Sequence, residues 1–245
     1  MIGLQTETNE LNVAVIGAGG GIGAALVDAL ADSAGVATVH ALTRNPSDHA
    51  KSQVRTGRTD ITDEASVIEA AGAIDGALDL VIVATGILHS GEIQPERRIK
   101  EIDADAMQTV YLINTVGPAI VAKHFLPKLA KSGPSVFAAI SARVGSISDN
   151  RLGGWTSYRA SKAALNMVLK TFAIEHARSR RESVIAALHP GTVDTQLSEP
   201  FSKRVPDGKL FEPARSAAYL LDVIEGLRPE DSGGFFAWDA SRIDY

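Results

Sequence analysis

The chain has 245 residues, 45% hydrophobic and 22% charged, with 22 Gly and 10 Pro, a composition that suits a packed domain and excludes collagen, coiled coil and wholesale disorder. Its 24 basic and 29 acidic residues give a formal net charge of -5, so no cationic surplus exists to neutralise phosphates, and nucleic acid is not an expected partner. The absence of cysteine excludes disulfides, thiolate zinc sites and a cysteine nucleophile.

A polar, acidic stretch over residues 1–11 opens the chain and resembles neither a signal nor a transit peptide. The first strand is expected at 12–16, followed by a glycine-rich turn and a helix over 22–32. A second strand follows at 37–43, a weakly marked one at 53–55 or 56–59, and a helix at 64–71. Strand 80–84 precedes one long helix at 103–130, then strand 135–140, helix 157–178 and strand 184–188. A polar stretch over 192–213 with Gly208, Pro200, Pro206 and Pro213 reads as a lid over a site, before helix 214–226 and strand 235–238. Several strands are apolar throughout, as in a sheet covered on both faces. The alternation predicts a doubly wound α/β fold, a Rossmann-type parallel sheet of about seven strands in a single domain over 1–245. The apolar runs are strand-sized, below the roughly 18 residues of a membrane span. The expectation is a cytoplasmic protein with no membrane partner.

Between strand one and helix one stand Gly17, Ala18, Gly19, Gly20, Gly21, Ile22 and Gly23. Such a turn lets backbone approach a pyrophosphate with no Cβ in the way and aims a helix N-terminus at the anion. Its place in an α/β chain makes it a dinucleotide signal, spaced GxxxGxG rather than GxGxxG. An acid ending strand two would bind the ribose 2′-OH of NAD. This chain has Thr43 and Arg44 there instead; an arginine fork suits the 2′-phosphate of NADP, so NADP is expected over NAD. Asp60 is placed to accept from the adenine amino group, or serves as a turn residue.

Tyr158 and Lys162 lie four apart on one face of a helix opened by Thr156 or Ser157 as cap. A free tyrosine titrates near 10. A neighbouring ammonium and a positive nicotinamide ring favour tyrosinate, fitting Tyr158 to pass a proton to a carbonyl or take one from an alcohol.

The glycine turn, Asn114, Tyr158, Lys162 and Pro190–Gly191, in this order and spacing, resemble the single-domain short-chain dehydrogenases/reductases over nearly the whole chain. The runs 143–147 and 158–166 and the ending 234–239 are similar to the C-factor and sniffer-like branch. The resemblance implies that Tyr158 is the acid/base, that Lys162 binds the nicotinamide ribose, and that Asn114 holds a water for proton relay. It implies further that Ala84, Thr85 and Gly86 lie along the cofactor, and that Pro190, Gly191, Val193 and Thr195 meet its carboxamide and pyrophosphate. Homodimers or homotetramers through helices 103–130 and 157–178 are also implied. One departure stands out: the family's substrate-orienting serine is second in Ile-Ser-Ser, and here the stretch is Ile140, Ser141, Ala142. Ser141 is the first candidate to replace that hydroxyl and Ser146 the second; strand alternation turns Ser141 the other way unless the strand end bulges.

The six histidines show no metal-ligand spacing, so no metal is expected, and no Gly-x-Ser-x-Gly elbow marks a hydrolase. His89 lines a pocket or is a surface histidine, and Arg143, Arg151 and Trp155 flank the substrate mouth or serve structure. The leading expectation is hydride transfer between NADP(H) and a small carbonyl or secondary alcohol. The alternative is a dinucleotide-binding regulatory or signalling protein with little turnover. A nucleotide-sugar epimerase or dehydratase needs a longer chain.

Overall fold

The computed structural model describes residues 10–91, 93–199 and 208–245. Its strands are β1 (Leu11–Ile16), β2 (Val36–Thr43), β3 (Val54–Arg58), β4 (Leu80–Val83), β5 (Ser135–Ile140) and β6 (Ser183–His189). The two-residue strands β7 (Thr192–Val193) and β8 (Leu210–Phe211) precede β9 (Phe235–Ala237). Seven form one parallel sheet in the order β3-β2-β1-β4-β5-β6-β9. The weakly marked third strand takes parts of both expected positions.

Strands buried on both faces divide their side chains by alternation. In β5, Phe137 and Ala139 join one core cluster while Val136, Ala138 and Ile140 join the other. The first cluster is covered by α2 (Glu64–Gly72), α4 (Gly117–Phe125) and α5 (Thr156–His176), through Val67, Phe125, Leu165 and Leu169. The second is covered by α1 (Gly21–Asp32) and α6 (Pro213–Gly226), through Leu26, Leu30, Leu220 and Ile224. β1 pairs with β2 on one side and β4 on the other, so the strand order reverses there. In open α/β sheets ligands sit beyond the carboxyl ends at that reversal.

The helix expected over 103–130 is not continuous. α3 (Ala104–Tyr111) widens into a π-turn over Leu112–Val116, where the Gly117 N–H donates to the Leu112 carbonyl, and α4 ends at Phe125. Pro127 lacks an N–H and its ring crowds the carbonyl four residues back, so only a 3₁₀ turn, Leu126–Lys128, follows. The cap expected at Thr156 or Ser157 is also different. The residue preceding α5 is Trp155, at φ +53°, and its side chain caps nothing. In the 192–213 stretch, β7 and β8 pair in parallel; Pro200, Pro206 and the rest of the expected lid at 200–207 lie outside the described residues, as does the tail over 1–9.

The turn Arg143–Gly145 lies directly under α5. A Cβ on Gly145 would stand 2.7 Å from Lys162 Cβ and 2.9 Å from the Lys162 carbonyl carbon. Gly145→Ala is therefore expected to push on helix backbone and lower the melting temperature by roughly 3–10 °C in a thermal scan.

Candidate active site

The glycine turn is shaped by close approach. Gly17 has φ +92°, and an added Cβ would lie 2.9 Å from the Ala84 carbonyl carbon. A Cβ on Gly23 would lie 2.1 Å from Gly17 O, one on Gly21 2.7 Å from Thr195 Cγ2, and one on Gly19 2.9 Å from Thr43 Oγ1. The turn thus brings Thr43 and Thr195 to the same cradle. α1 begins at Gly21 with no side-chain cap and no acid in its first turn, leaving the early N–H groups, Ile22 and Gly23 among them, without helix partners. An uncapped N-terminus behind a turn free of side chains fits a dinucleotide's pyrophosphate.

Arg44 is exposed just beyond β2. Thr43 is in register with Arg58 of β3, a second exposed cation that single-sequence reading did not select. Asp60 accepts from Thr62 N–H at 3.0 Å and Thr62 Oγ1 at 2.7 Å. Those bonds first, then the charges of Arg44 and Arg58, hold its carboxyl below the ordinary value.

After β4, Ala84 N–H donates to Ile16 O at 2.7 Å, and the buried Thr85 Oγ1 has no hydrogen-bond partner among the described residues. A Cβ on Gly86 would stand 3.3 Å from Lys162 Nζ and 3.5 Å from Asn114 Oδ1. Asn114, fully buried in the π-turn, accepts from Ile87 N–H at 2.7 Å and donates to Ile87 O at 2.8 Å and Ser161 Oγ at 3.1 Å. Ser161 Oγ in turn donates to the Tyr158 carbonyl at 2.8 Å. This bracing by Ser161 carried no sequence signal, because serine is ordinary in a helix.

Lys162 is buried, and its Nζ donates to Ile140 O at 2.9 Å. No acid lies against it among the described residues, and burial pushes it down to about 8. Its Nζ stands 6.0 Å from the Tyr158 ring centroid. Tyr158 is 8% exposed and its hydroxyl bonds to none of the described residues. The sequence reading expects a lowered phenol pKa; in the protein alone, burial raises it. The difference is physical. Desolvation penalises tyrosinate, whereas the expected lowering requires a full ammonium charge together with a bound nicotinamide.

Strand alternation carries Ser141 onto the α5 side. Its Oγ donates to Asn166 Oδ1 at 2.7 Å, and its hydroxyl is committed to that bond rather than to Tyr158. Ser146 Oγ donates to the Asp244 carbonyl at 2.5 Å. Both expected replacements for the missing serine are therefore engaged in structural bonds. His189, at the end of β6, is pushed by burial to about 4, and its Nδ1 has no described partner.

Beyond β6, Pro190 O accepts from Ser216 Oγ at 2.8 Å, and Gly191 has φ +79° and room for no Cβ, which would lie 2.6 Å from the Phe211 ring. Val193 is buried in the β7–β8 pair, and Thr195 N–H donates to Ser198 Oγ at 3.2 Å. His89 Nε2 lies 3.1 Å from the carbonyls of Gln196 and Leu197, tying the loop after β4 to this segment. Arg143 pairs with Asp149 at 2.7 Å, and Trp155 meets Tyr158 edge-on at 6.4 Å between centroids.

A separate cleft of about 430 Å³ lies at the amino end of the sheet, lined among others by Lys131, Arg178, Arg180 and Arg181. Cations just past the C-terminus of α5 complement the helix dipole, and none of the chemistry-bearing groups above reaches this cleft.

The family model for short chain dehydrogenases matches residues 11–206. The chain belongs to the short-chain dehydrogenase/reductase family of oxidoreductases. It is 34% identical to the C-signal protein of Myxococcus xanthus over 59% of this chain and 82% of that one. Its fold matches an NADPH-bound carbonyl reductase from chicken fatty liver, with a TM-score of 0.81, 26% identity and coverage of 96% and 95%. It also matches the carbonyl reductase Sniffer of Drosophila melanogaster in fold, with a TM-score of 0.82, 22% identity and coverage of 96% and 100%. The seven-stranded sheet and the C-factor and sniffer-like resemblance expected from sequence both stand. Among the described residues no helix is long and apolar enough to cross a membrane.

Lys162 titrates near 8 when folded against an ordinary value of 10.5, so between those values the unfolded chain binds more protons and stability rises with pH. Below about 8 both forms are charged and the penalty is constant. The melting temperature of cofactor-free protein, minus that of Lys162→Met, is expected to be flat from about pH 6 to 7.5 and to climb towards pH 10. A difference that ignores pH would show that Lys162 is not desolvated.

Proposed function

We propose that this protein is an NADP-preferring oxidoreductase that interconverts a small carbonyl compound and its secondary alcohol, with Tyr158 as acid/base. The observation that carries this reading is the convergence of Lys162 Nζ and Asn114 Oδ1 on Gly86, one helical turn from a Tyr158 hydroxyl that bonds to none of the described residues, beside the glycine cradle. When bound, the nicotinamide dinucleotide supplies or accepts the hydride. Gly17, Gly19, Gly21, Ile22 and Gly23 receive its pyrophosphate, with Thr43 and Arg44, joined by Arg58, at the 2′-phosphate and Asp60 towards the adenine. Ala84, Thr85, Gly86, Pro190, Gly191, Val193 and Thr195 line its length. In reduction, Tyr158 Oη gives its proton to the substrate oxygen as the carbon is reduced. Lys162 binds ribose hydroxyls through Nζ and stabilises the phenolate left behind. Asn114 anchors a water through which the proton is replaced.

The NADPH-bound carbonyl reductase of the same fold supports the cofactor and the substrate class. The exposed Leu112, Val116, Met167 and Ile174 on α5 and its neighbouring turn support association through these helices. The commitments of Ser141 and Ser146 favour a second reading, a dinucleotide-binding regulatory protein with little turnover.

Wild-type protein is expected to consume NADPH with at least one member of a panel of aldehydes, ketones and quinones. Tyr158→Phe is expected to lose at least about 10²-fold in rate while NADPH affinity is kept. NADPH binding without turnover across the panel would select the regulatory reading instead. Loss of a charge-assisted bond to phosphate predicts that Arg44→Ala weakens NADPH roughly 10- to 100-fold and leaves NADH unchanged, measured by nucleotide fluorescence titration. Equal losses for both nucleotides would remove Arg44 from 2′-phosphate recognition.

A further inference from the structure

The first turn of α5 bears Tyr158, and the residue that opens the helix gives it no side-chain cap. The chain enters through Gly153, Gly154 and Trp155, at φ +63°, +68° and +53°. Three successive left-handed residues are unusual. The third carries a bulky side chain in a conformation that L residues rarely adopt and that persists only where surroundings impose it.

Glu96, 61 positions before Ser157, supplies that imposition. Its side chain is buried at 6% exposure. Its carboxylate accepts from the Ser157 N–H at 3.2 and 3.3 Å through its two oxygens, and from the Ser157 hydroxyl. Its backbone carbonyl accepts from the Trp155 N–H at 2.5 Å. A Cβ on Gly154 would stand 3.5 Å from that same carbonyl, so the two loops are in direct contact. Glu96 forms no ion pair with any described residue. The positive end of α5 and two donors from Ser157 take the place of a cation. Ser157 and Trp155, just ahead of Tyr158, are thereby fixed from outside the helix by Glu96, while the Tyr158 carbonyl is held from within it by Ser161 Oγ. Trp155, held in its left-handed conformation, then meets the Tyr158 ring in a T-shaped pair.

We propose that Glu96 is a positioning residue: its buried carboxylate clamps the first turn of α5 and so aims the Tyr158 hydroxyl. The proposal rests on the oxidoreductase reading for its kinetic consequence, though the clamp itself does not. The glycine cradle is built from other elements, so loss of the clamp separates turnover from nucleotide binding.

The experiment compares Glu96→Ala, Glu96→Gln and Ser157→Ala with wild type, using NADPH and the best carbonyl of the panel. Glu96→Ala is expected to lower kcat at least tenfold with the NADPH Kd within twofold. Glu96→Gln, which keeps one acceptor oxygen, is expected to recover part of that loss. In a Tyr158→Phe background Glu96→Ala is expected to add nothing, because it acts through the phenol; a general loss of structure would lower the residual rate further. A second readout needs no turnover. In a Trp238→Phe background Trp155 is the remaining tryptophan, and its emission is expected to shift when Glu96 is replaced. If Glu96→Ala does not fold, Glu96→Gln and Ser157→Ala carry the test, each with an expected three- to tenfold loss of kcat. Wild-type kcat together with unchanged Trp155 emission in the folded variants overturns the proposal. If the wild-type protein turns over no carbonyl, the oxidoreductase reading fails separately, and unchanged Trp155 emission alone decides against the clamp.

Discussion

A buried ammonium with no acid against it among the described residues constrains much of this structure. Lys162 lies on the inner face of α5, and an ion so placed is costly to desolvate unless its protons find acceptors. Ile140 O provides one at 2.9 Å, a carbonyl at the carboxyl edge of β5 where the strand ladder is ending. Two glycines make the fit possible from opposite sides. A Cβ at Gly145 would strike the lysine's stem and helix backbone, and one at Gly86 would press on Nζ. The lysine's remaining donors face the space beside Gly86. In the proposed reaction, ribose hydroxyls complete its shell.

The π-turn solves a related geometric problem. An α-helix running through Leu112–Val116 would carry every side chain round by the same step. The extra residue in this turn lets Asn114 direct both ends of its amide, accepting from and donating to the backbone of Ile87. Such bulges recur where a helix must serve chemistry as well as packing. Here it joins the loop after β4 to α5 through Ser161, so that Gly86, Asn114 and Lys162 are positioned by one bonded network rather than by three independent elements.

What sequence revealed and what it did not follow from the range of the forces involved. The glycine turn, the apolar strands and the four-residue step from Tyr158 to Lys162 are local patterns with one dominant physical reading each, and they gave the fold and most of the candidate site. The facing of Ser141 was legible too, since odd positions of β5 look towards α5. Pro127 is a local stop signal, and the single helix expected over 103–130 runs straight through it. The cap on α5 was beyond reach for a different reason: Thr156 and Ser157 are both good capping residues, and only the tertiary fold brings Glu96 across to do that work. Arg58 was invisible until strand register set it beside Thr43.

The protonation of the site also bears on direction. Burial raises the phenol and lowers the ammonium, so near neutral pH the cofactor-free protein holds Tyr158 as a neutral acid. A phenol in that state is ready to donate to a carbonyl oxygen, whereas alcohol oxidation must first remove its proton against the same desolvation. Ala142 bears on the same balance. With Ser141 bonded to Asn166 and Ser146 to the Asp244 carbonyl, a substrate oxygen in the proposed reaction would lack at Tyr158 the second hydroxyl that the family resemblance implies. Under that proposal the phenol would carry more of the orienting task itself. That makes the rigidity of the first turn of α5 matter more here than where two hydroxyls share the substrate, and it gives a buried carboxylate at the head of that helix a physical reason to be there.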